Sequence, residues 1–229
     1  MKSIHLFILG SIVGSFLAVV SIRLPRGESL LMPPSHCDHC QQTLRPIDLI
    51  PLISALHQRF VCRYCHQKFS TRSFWLEFFC GLLFYHFLHD FHWLNLWYLF
   101  WLLSSLVLAL IDWDQLIVEM RIFLLTGIPL LISAMLLLPL HWLQPIIVGL
   151  LFYLSQKILP NSFGLGDLWI IGLWSCFLSS YELLQVLFSA SFSGLLFFSY
   201  RTLQKKPLIQ LPFLPFLFIG LLLLLLKKC

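Results

Sequence analysis

The sequence predicts an all-α polytopic membrane protein, about eight transmembrane helices with one small polar loop, and three observations carry that prediction. Charged residues make up only 11% of the 229, against about 25% in soluble domains. Mean hydropathy is +0.87, so lipid must solvate most of the chain. Apolar segments of spanning or near-spanning length follow one another almost without interruption, where each span needs about 20 residues.

Taken in order, the first segment is 4–22. Arg23-Leu24-Pro25-Arg26 follows it in place of a small-residue cleavage site, which predicts a retained helix and not a removed signal. Residues 23–73 are the one long water-compatible stretch, with seven of the fifteen basic residues and four of the seven cysteines. The spans then run 74–90, 94–111, 121–139, 142–158, 166–180, 183–200 and 211–226. The second and sixth of the eight are short, and the Leu-rich last one reads as an ordinary lipid-facing helix. The other loops are about ten residues or fewer, as antiparallel neighbours in a bundle require. Pro129, Pro139, Pro145, Pro212 and Pro215 fall in or beside spans, where neighbours can satisfy the freed backbone groups. The expected division is a first helix over 1–22, a loop over 23–73 and a seven-helix core over 74–229.

Charge sets the orientation. With eight spans, Arg23, Arg26, Arg45, Arg59, Arg63, Lys68, Arg72, Arg121, Lys157, Arg201, Lys205 and Lys206 fall on one side. Only Lys2, Lys227 and Lys228 fall on the other. The positive-inside rule places the larger group in the cytoplasm and both termini outside. A formal charge of +5 distributed in this way says little about nucleic acid.

The polar loop contains Cys37-Asp38-His39-Cys40 and Cys62-Arg63-Tyr64-Cys65, two CxxC pairs separated by 21 residues. Each pair presents two sulfurs to one ion, so the pattern points to a structural zinc site on Cys37, Cys40, Cys62 and Cys65. Redox-active pairs lack their usual βαβ surroundings here, and disulfides disagree with a reducing cytoplasmic loop. A closed tetrahedral site leaves the metal no catalytic position; it would fold a loop too small to build its own core. Cys80 and Cys176 lie in spans as small apolar residues, and Cys229 is terminal.

The carboxylates Asp112 and Asp167 carry the chemistry. Asp112 closes the 94–111 run, and Asp167 ends Gly164-Leu165-Gly166-Asp167 just before another. An ionisable residue within or at the edge of a membrane helix is costly and marks a functional site by default. Charge places both at cytoplasmic helix ends. Two adjacent carboxylates can share a proton, one activating water while the other polarises a peptide carbonyl. Gly164 and Gly166 leave room for close approach of an extended substrate. Other readings exist: Asp167 as a helix N-terminal carboxylate, Asp112, Asp114 and Glu119 as markers of the lipid–water boundary, a proton-coupled transporter using the Asp pair, or a zinc-loop membrane assembly factor. No nucleophilic Ser/His arrangement and no phosphate-binding Gly loop stands out.

Several separated motifs resemble one family. Gly14-Ser15-Phe16-Leu17 with Arg23-Leu24-Pro25, the Ser35-His36-Cys37 to Cys65 loop, Ser73-Phe74-Trp75-Leu76-Glu77, Ile111-Asp112 and Gly164-Leu165-Gly166-Asp167 occur in the order found in type IV prepilin peptidases. The resemblance covers the whole chain. It implies a membrane aspartic endopeptidase that removes the leader of prepilins or pseudopilins at the cytoplasmic face, with Asp112 and Asp167 catalytic and Cys37, Cys40, Cys62 and Cys65 on zinc. It implies in many members a second activity, N-methylation of the new N-terminus from S-adenosylmethionine, for which Glu77 is a candidate residue. The compact loops resemble the short forms that process competence pseudopilins. The chain departs from the family at Ala18, in place of Asn, at Glu119-Met120, in place of Pro-Asp or Pro-Asn, and at Leu168-Trp169. Leader cleavage is therefore the expectation, with methyl transfer left open.

Overall fold

The structure, a computed structural model, describes residues 2–37, 39–158, 164–205 and 210–228. Asp38, Lys206 and Cys229 lie outside the described residues. The eight apolar segments appear as α1 (Lys2–Arg23), α3 (Arg72–Leu88), α4 (Trp93–Gln115), α5 (Met120–Leu137), α6 (Gln144–Ile158), α7 (Leu165–Phe177), α8 (Ser180–Leu203) and α9 (Leu214–Leu226). The polar loop adds the short α2 (Ile53–His57) and two 3-10 turns. Among the described residues there is no β-strand; the loop carries two isolated bridges.

Among the described residues, four helical stretches are long and apolar enough to cross a bilayer: Ser3–Arg26, Trp93–Gln115, Met120–Leu137 and Ser180–Leu203. The other four are shorter, and α7 and α9 have 13 residues each. The reason for the shortest is local. The apolar run at 166–180 does not continue as helix, because Ser179 turns to extended backbone and caps α8. Its hydroxyl accepts the Glu182 N–H, and the Glu182 carboxylate accepts the Ser179 N–H at 2.9 Å. This reciprocal box satisfies two amides that a helix start leaves unpaired.

The chain forms two compact units, residues 1–99 and 100–229, with α4 running from one into the other. In the first, α1 packs along α3 through glycine. A Cβ on Gly10 would meet the Cys80 carbonyl at 2.5 Å and the Phe84 Cβ at 2.7 Å. One on Gly14 would lie 2.9 Å from Glu77 and Cys80. Gly81 on α3 faces Phe7 and Ser11 in the same way. Small residues spaced by four let two backbones approach, which is how helices associate where lipid removes any hydrophobic advantage.

In the second unit, α8 and α9 form an antiparallel pair. Gly220 sits against the Val186 carbonyl, and Lys228 meets Glu182 at 2.6 Å. The C-terminal lysine thus has a local partner at the start of α8. Elsewhere in the unit, Trp101 of α4 stands edge-on to Trp174 and Phe177 of α7.

Replacing Gly10 with Ala is expected to cost about 1–3 kcal/mol by overpacking, read as a lower melting temperature of the detergent-solubilised protein, whereas Gly149→Ala, with open space around it, should leave the melt unchanged.

Candidate active site

Asp112 sits on the sixth turn of α4, in a row of apolar residues, and its side chain is turned inward: the residue is only 7% exposed. Its Oδ2 accepts the backbone N–H of Leu214 at 3.0 Å. Leu214 is the first residue of α9, so the carboxylate closes a helix N-terminus, where free amides and the helix dipole favour an anion. The sequence reading did not find this partner. The signal was present: Pro212 and Pro215 bracket the first residue of that helix, a mark of helix starts.

Asp167 lies in the first turn of α7, after Gly164 in extended conformation. It therefore occupies the helix N-terminal position that a purely structural carboxylate would also take, and what distinguishes it is the company it keeps. Asp112 and Asp167 line one cleft of about 1040 Å³, whose other walls include Leu116, Val118, Trp169, Gln210 and Phe213. Drug-sized ligand pockets reach about 1,000 Å³, so an extended peptide segment has room.

Gly166 explains part of the motif. A Cβ there would run into the Val118 side chain, which belongs to the turn between α4 and α5. That turn begins at Leu116, a residue with φ of 57°. Glycine at 166 therefore lets the turn after Asp112 lie against the first turn of the helix that carries Asp167.

The second cluster is in the polar loop. The ligand atoms of Cys37, Cys40, Cys62 and Cys65 all lie within 4.8 Å of one another, close enough to bind one metal ion. The two CxxC pairs share a construction that their sequences conceal. The Cys37 N–H bonds to the Gln42 carbonyl and the Gln41 N–H returns to Cys37; the Cys62 N–H bonds to the Gln67 carbonyl and the His66 N–H returns to Cys62. Gln41 and His66 take the same left-handed conformation, with φ of 57° and 56°. So a repeat exists here that the residue identities outside the cysteines do not reveal. Backbone bonds from Cys65 and Tyr64 hold the Cys62 thiol down at about 7 against burial. At Cys65 the Gln67 N–H lowers the pKa, but burial and the neighbouring sulfurs prevail and push it up to about 11. Four thiolates cannot coexist here without a cation.

Asp48, unnoticed in the sequence, holds this loop together. Its buried carboxylate takes the Arg45 N–H at 3.2 Å, Gln58 Nε2 at 2.6 Å and the Arg63 guanidinium at 3.1 Å. Arg63 lies between Cys62 and Cys65, so the bridge fixes the second pair. Glu77 is in the second turn of α3, not at its end, and its Oε2 accepts the Leu52 N–H at 2.8 Å.

Two family models match the chain. Residues 8–91 match one described as the bacterial Peptidase A24 N-terminal domain, and residues 96–199 match the type IV leader peptidase family. The chain is 35% identical over 203 residues to the prepilin leader peptidase/N-methyltransferase of Myxococcus xanthus (strain DK1622), covering 84% of this chain and 61% of that protein. It is 42% identical over 65 residues to the protein of the same name from Bacillus subtilis (strain 168), covering 28% of this chain and 26% of that one. It is also 42% identical over 93 residues to the type 4 prepilin-like proteins leader peptide-processing enzyme of Escherichia coli O78:H11 (strain H10407 / ETEC), covering 33% and 35% respectively. The chain thus spans about three fifths of the length of the Myxococcus relative and less of the others. No solved structure matches it.

The fit of Gly166 against Val118 can be tested by a pair of substitutions. Gly166→Ala should destabilise the protein by about 1–3 kcal/mol through overpacking, and adding Val118→Ala should restore most of the loss in a thermal melt; independent effects that simply add would show that the two do not touch.

Proposed function

The chain belongs to the type IV leader peptidase family, and from that premise we propose that it is a membrane aspartic endopeptidase that removes the leader peptide of type IV prepilins or competence pseudopilins, with Asp112 and Asp167 as its catalytic pair. The observation that carries the reading is the presence of both carboxylates on one cleft of peptide size. The ionised member takes a proton from water, whose oxygen attacks the scissile carbonyl. The protonated member polarises that carbonyl, and a proton then passes to the departing amine. The Leu214 N–H holds Asp112 Oδ2 and so orients the carboxylate in the cleft.

The same reading sets the site at the cytoplasmic membrane face with both termini outside, supported by twelve of the fifteen Lys and Arg falling on that side. Zinc fits the cysteine cluster. A tetrahedral ion with bonds of 2.3 Å separates its sulfurs by about 3.8 Å, and the Cys37 and Cys65 sulfurs are 3.8 Å apart. With Cys37, Cys40, Cys62 and Cys65 all bound, the ion has no open position, so it folds the loop and takes no part in hydrolysis. N-methylation with S-adenosylmethionine is the second activity that the relatives' names carry. Glu77 remains its candidate residue, but one of its oxygens is committed to Leu52, and buried Ala18 offers no polar group where the family resemblance has Asn. These two residues do not by themselves build a site for that donor, so hydrolysis is the step assigned to this chain.

Co-expression with a pseudopilin, followed by gel-shift of the leader, tests the pair. Asp112→Asn and Asp167→Asn, at matched membrane levels, are each expected to lower cleavage by about 10²- to 10⁴-fold, the usual worth of acid–base catalysis; unchanged cleavage in either would remove that residue from the mechanism.

Metal analysis of the purified protein is expected to find one zinc per chain. Cys62→Ser and Asp48→Ala should both lose it, the first by removing a ligand and the second by releasing the Arg63 turn; a fully folded wild-type protein without metal would refute the zinc assignment.

A further inference from the structure

Between the two cysteine pairs runs a segment that neither the metal cluster nor the cleft uses. Residues 46–57 comprise the 3-10 turn Pro46–Leu49 and α2. Asp48 and Ala55 are buried beneath it. Ile47, Leu49, Ile50, Ile53 and Leu56 point outward and are 41–64% exposed. So many large aliphatic side chains, so close together, form a patch that a loop standing in water does not carry without a partner.

The partner is identified by depth. The Leu52 N–H donates to Glu77, and Glu77 is five residues beyond Arg72, the first residue of α3. At 1.5 Å per residue the contact lies about 7 Å along that apolar helix. The middle of the segment, at Leu52, is therefore tied to the side of α3 and not to its end. Both ends of the loop are continuous with apolar helices, at Arg23 and Arg72. Trp75, 62% exposed, lies in the first turn of α3 and is a residue type typical of the membrane interface. Arg45 and Arg59 flank the segment on either side, both exposed; long basic side chains lay their stems on apolar surface and carry the charge to headgroup phosphates.

The polar bonds fit the same depth. Irregular backbone at membrane level is tolerated only when its amides are satisfied by protein. Here Asp48 takes the Arg45 N–H and Glu77 takes the Leu52 N–H, each carboxylate being buried. Leu52 has φ of 63° and immediately precedes α2 as its cap residue, so its amide has no acceptor within that helix.

We propose that residues 46–57 are an interfacial segment seated in the lipid bilayer beside α3, with Ile47, Leu49, Ile50, Ile53 and Leu56 at the boundary of headgroups and acyl chains and Arg45 and Arg59 among the phosphates. Amphipathic segments of this kind sink about 5–10 Å into the interface. The cysteine cluster on either side of the segment is thereby held against the membrane surface. The proposal is independent of the peptidase reading, since it uses only the first unit and its apolar helices.

The test uses the full chain in lipid nanodiscs, with a fluorescent non-natural amino acid placed at position 53 or, as a control, at exposed position 42 in the first cysteine knuckle. Two quenchers are applied: phospholipid brominated near the top of the acyl chain, and aqueous iodide. The reporter at 53 is expected to lose most of its emission to brominated lipid and little to iodide, with the reverse at 42. Strong iodide quenching at 53, matching that at 42, would place the segment in water and overturn the proposal. Protection of position 53 from both quenchers would overturn it too, because the patch would then be covered by protein, such as a second copy of the chain.

Discussion

In lipid, an unpaired backbone amide or a solitary charge costs several kcal/mol, and the bond from the Leu214 N–H to Asp112 removes one of each. It joins residues 102 positions apart in sequence, the C-terminal end of α4 and the first residue of α9. Much of the second unit follows from it. The start of α9 is brought to Asp112, α8 packs back along α9 through Gly220, and the cleft that holds both aspartates has Phe213 as part of its wall. The same rule appears elsewhere with other partners. Glu77 takes the Leu52 amide and Glu182 takes the Ser179 amide. Three of the chain's few acidic groups thus answer amides that regular helix leaves open.

Helices were legible from the sequence because an apolar run in a lipid-solvated chain has one way to satisfy its backbone. All eight segments formed helices, and the boundaries moved where a cap intervened. The box at Ser179 and Glu182 was itself readable, a Ser followed three residues later by Glu, yet the apolar run around it concealed it. The cysteine cluster was legible because its ligands are given by residue type and spacing alone. Asp112 and Asp167 stood out for a related reason, since charge is expensive where they occur.

What stayed hidden depends on pairings over long distances in sequence. Nothing local marks Val118 as the neighbour of Gly166, or Asp48 as the acceptor for Arg63 and Gln58. Each is an ordinary residue until the chain folds. The two knuckles are hidden in another way: their likeness lies in backbone bonds and in the left-handed residues Gln41 and His66, not in side chains. Glu77 was visible as a carboxylate near a helix start, but its partner is a loop amide from 25 positions earlier.

The lengths of α7 and α9 have a consequence for the surrounding membrane. Thirteen residues of helix extend about 20 Å, while a hydrocarbon core is about 30 Å thick. A span that falls short is matched by thinning of the bilayer or by polar flanks drawn inward. Both short helices begin at the cleft, α7 with Asp167 in its first turn and α9 with the amide that holds Asp112. The distance water must travel to reach the carboxylates is thus set partly by how far the lipid gives way. On the proposed function, acyl-chain length becomes a variable in how water reaches this pair.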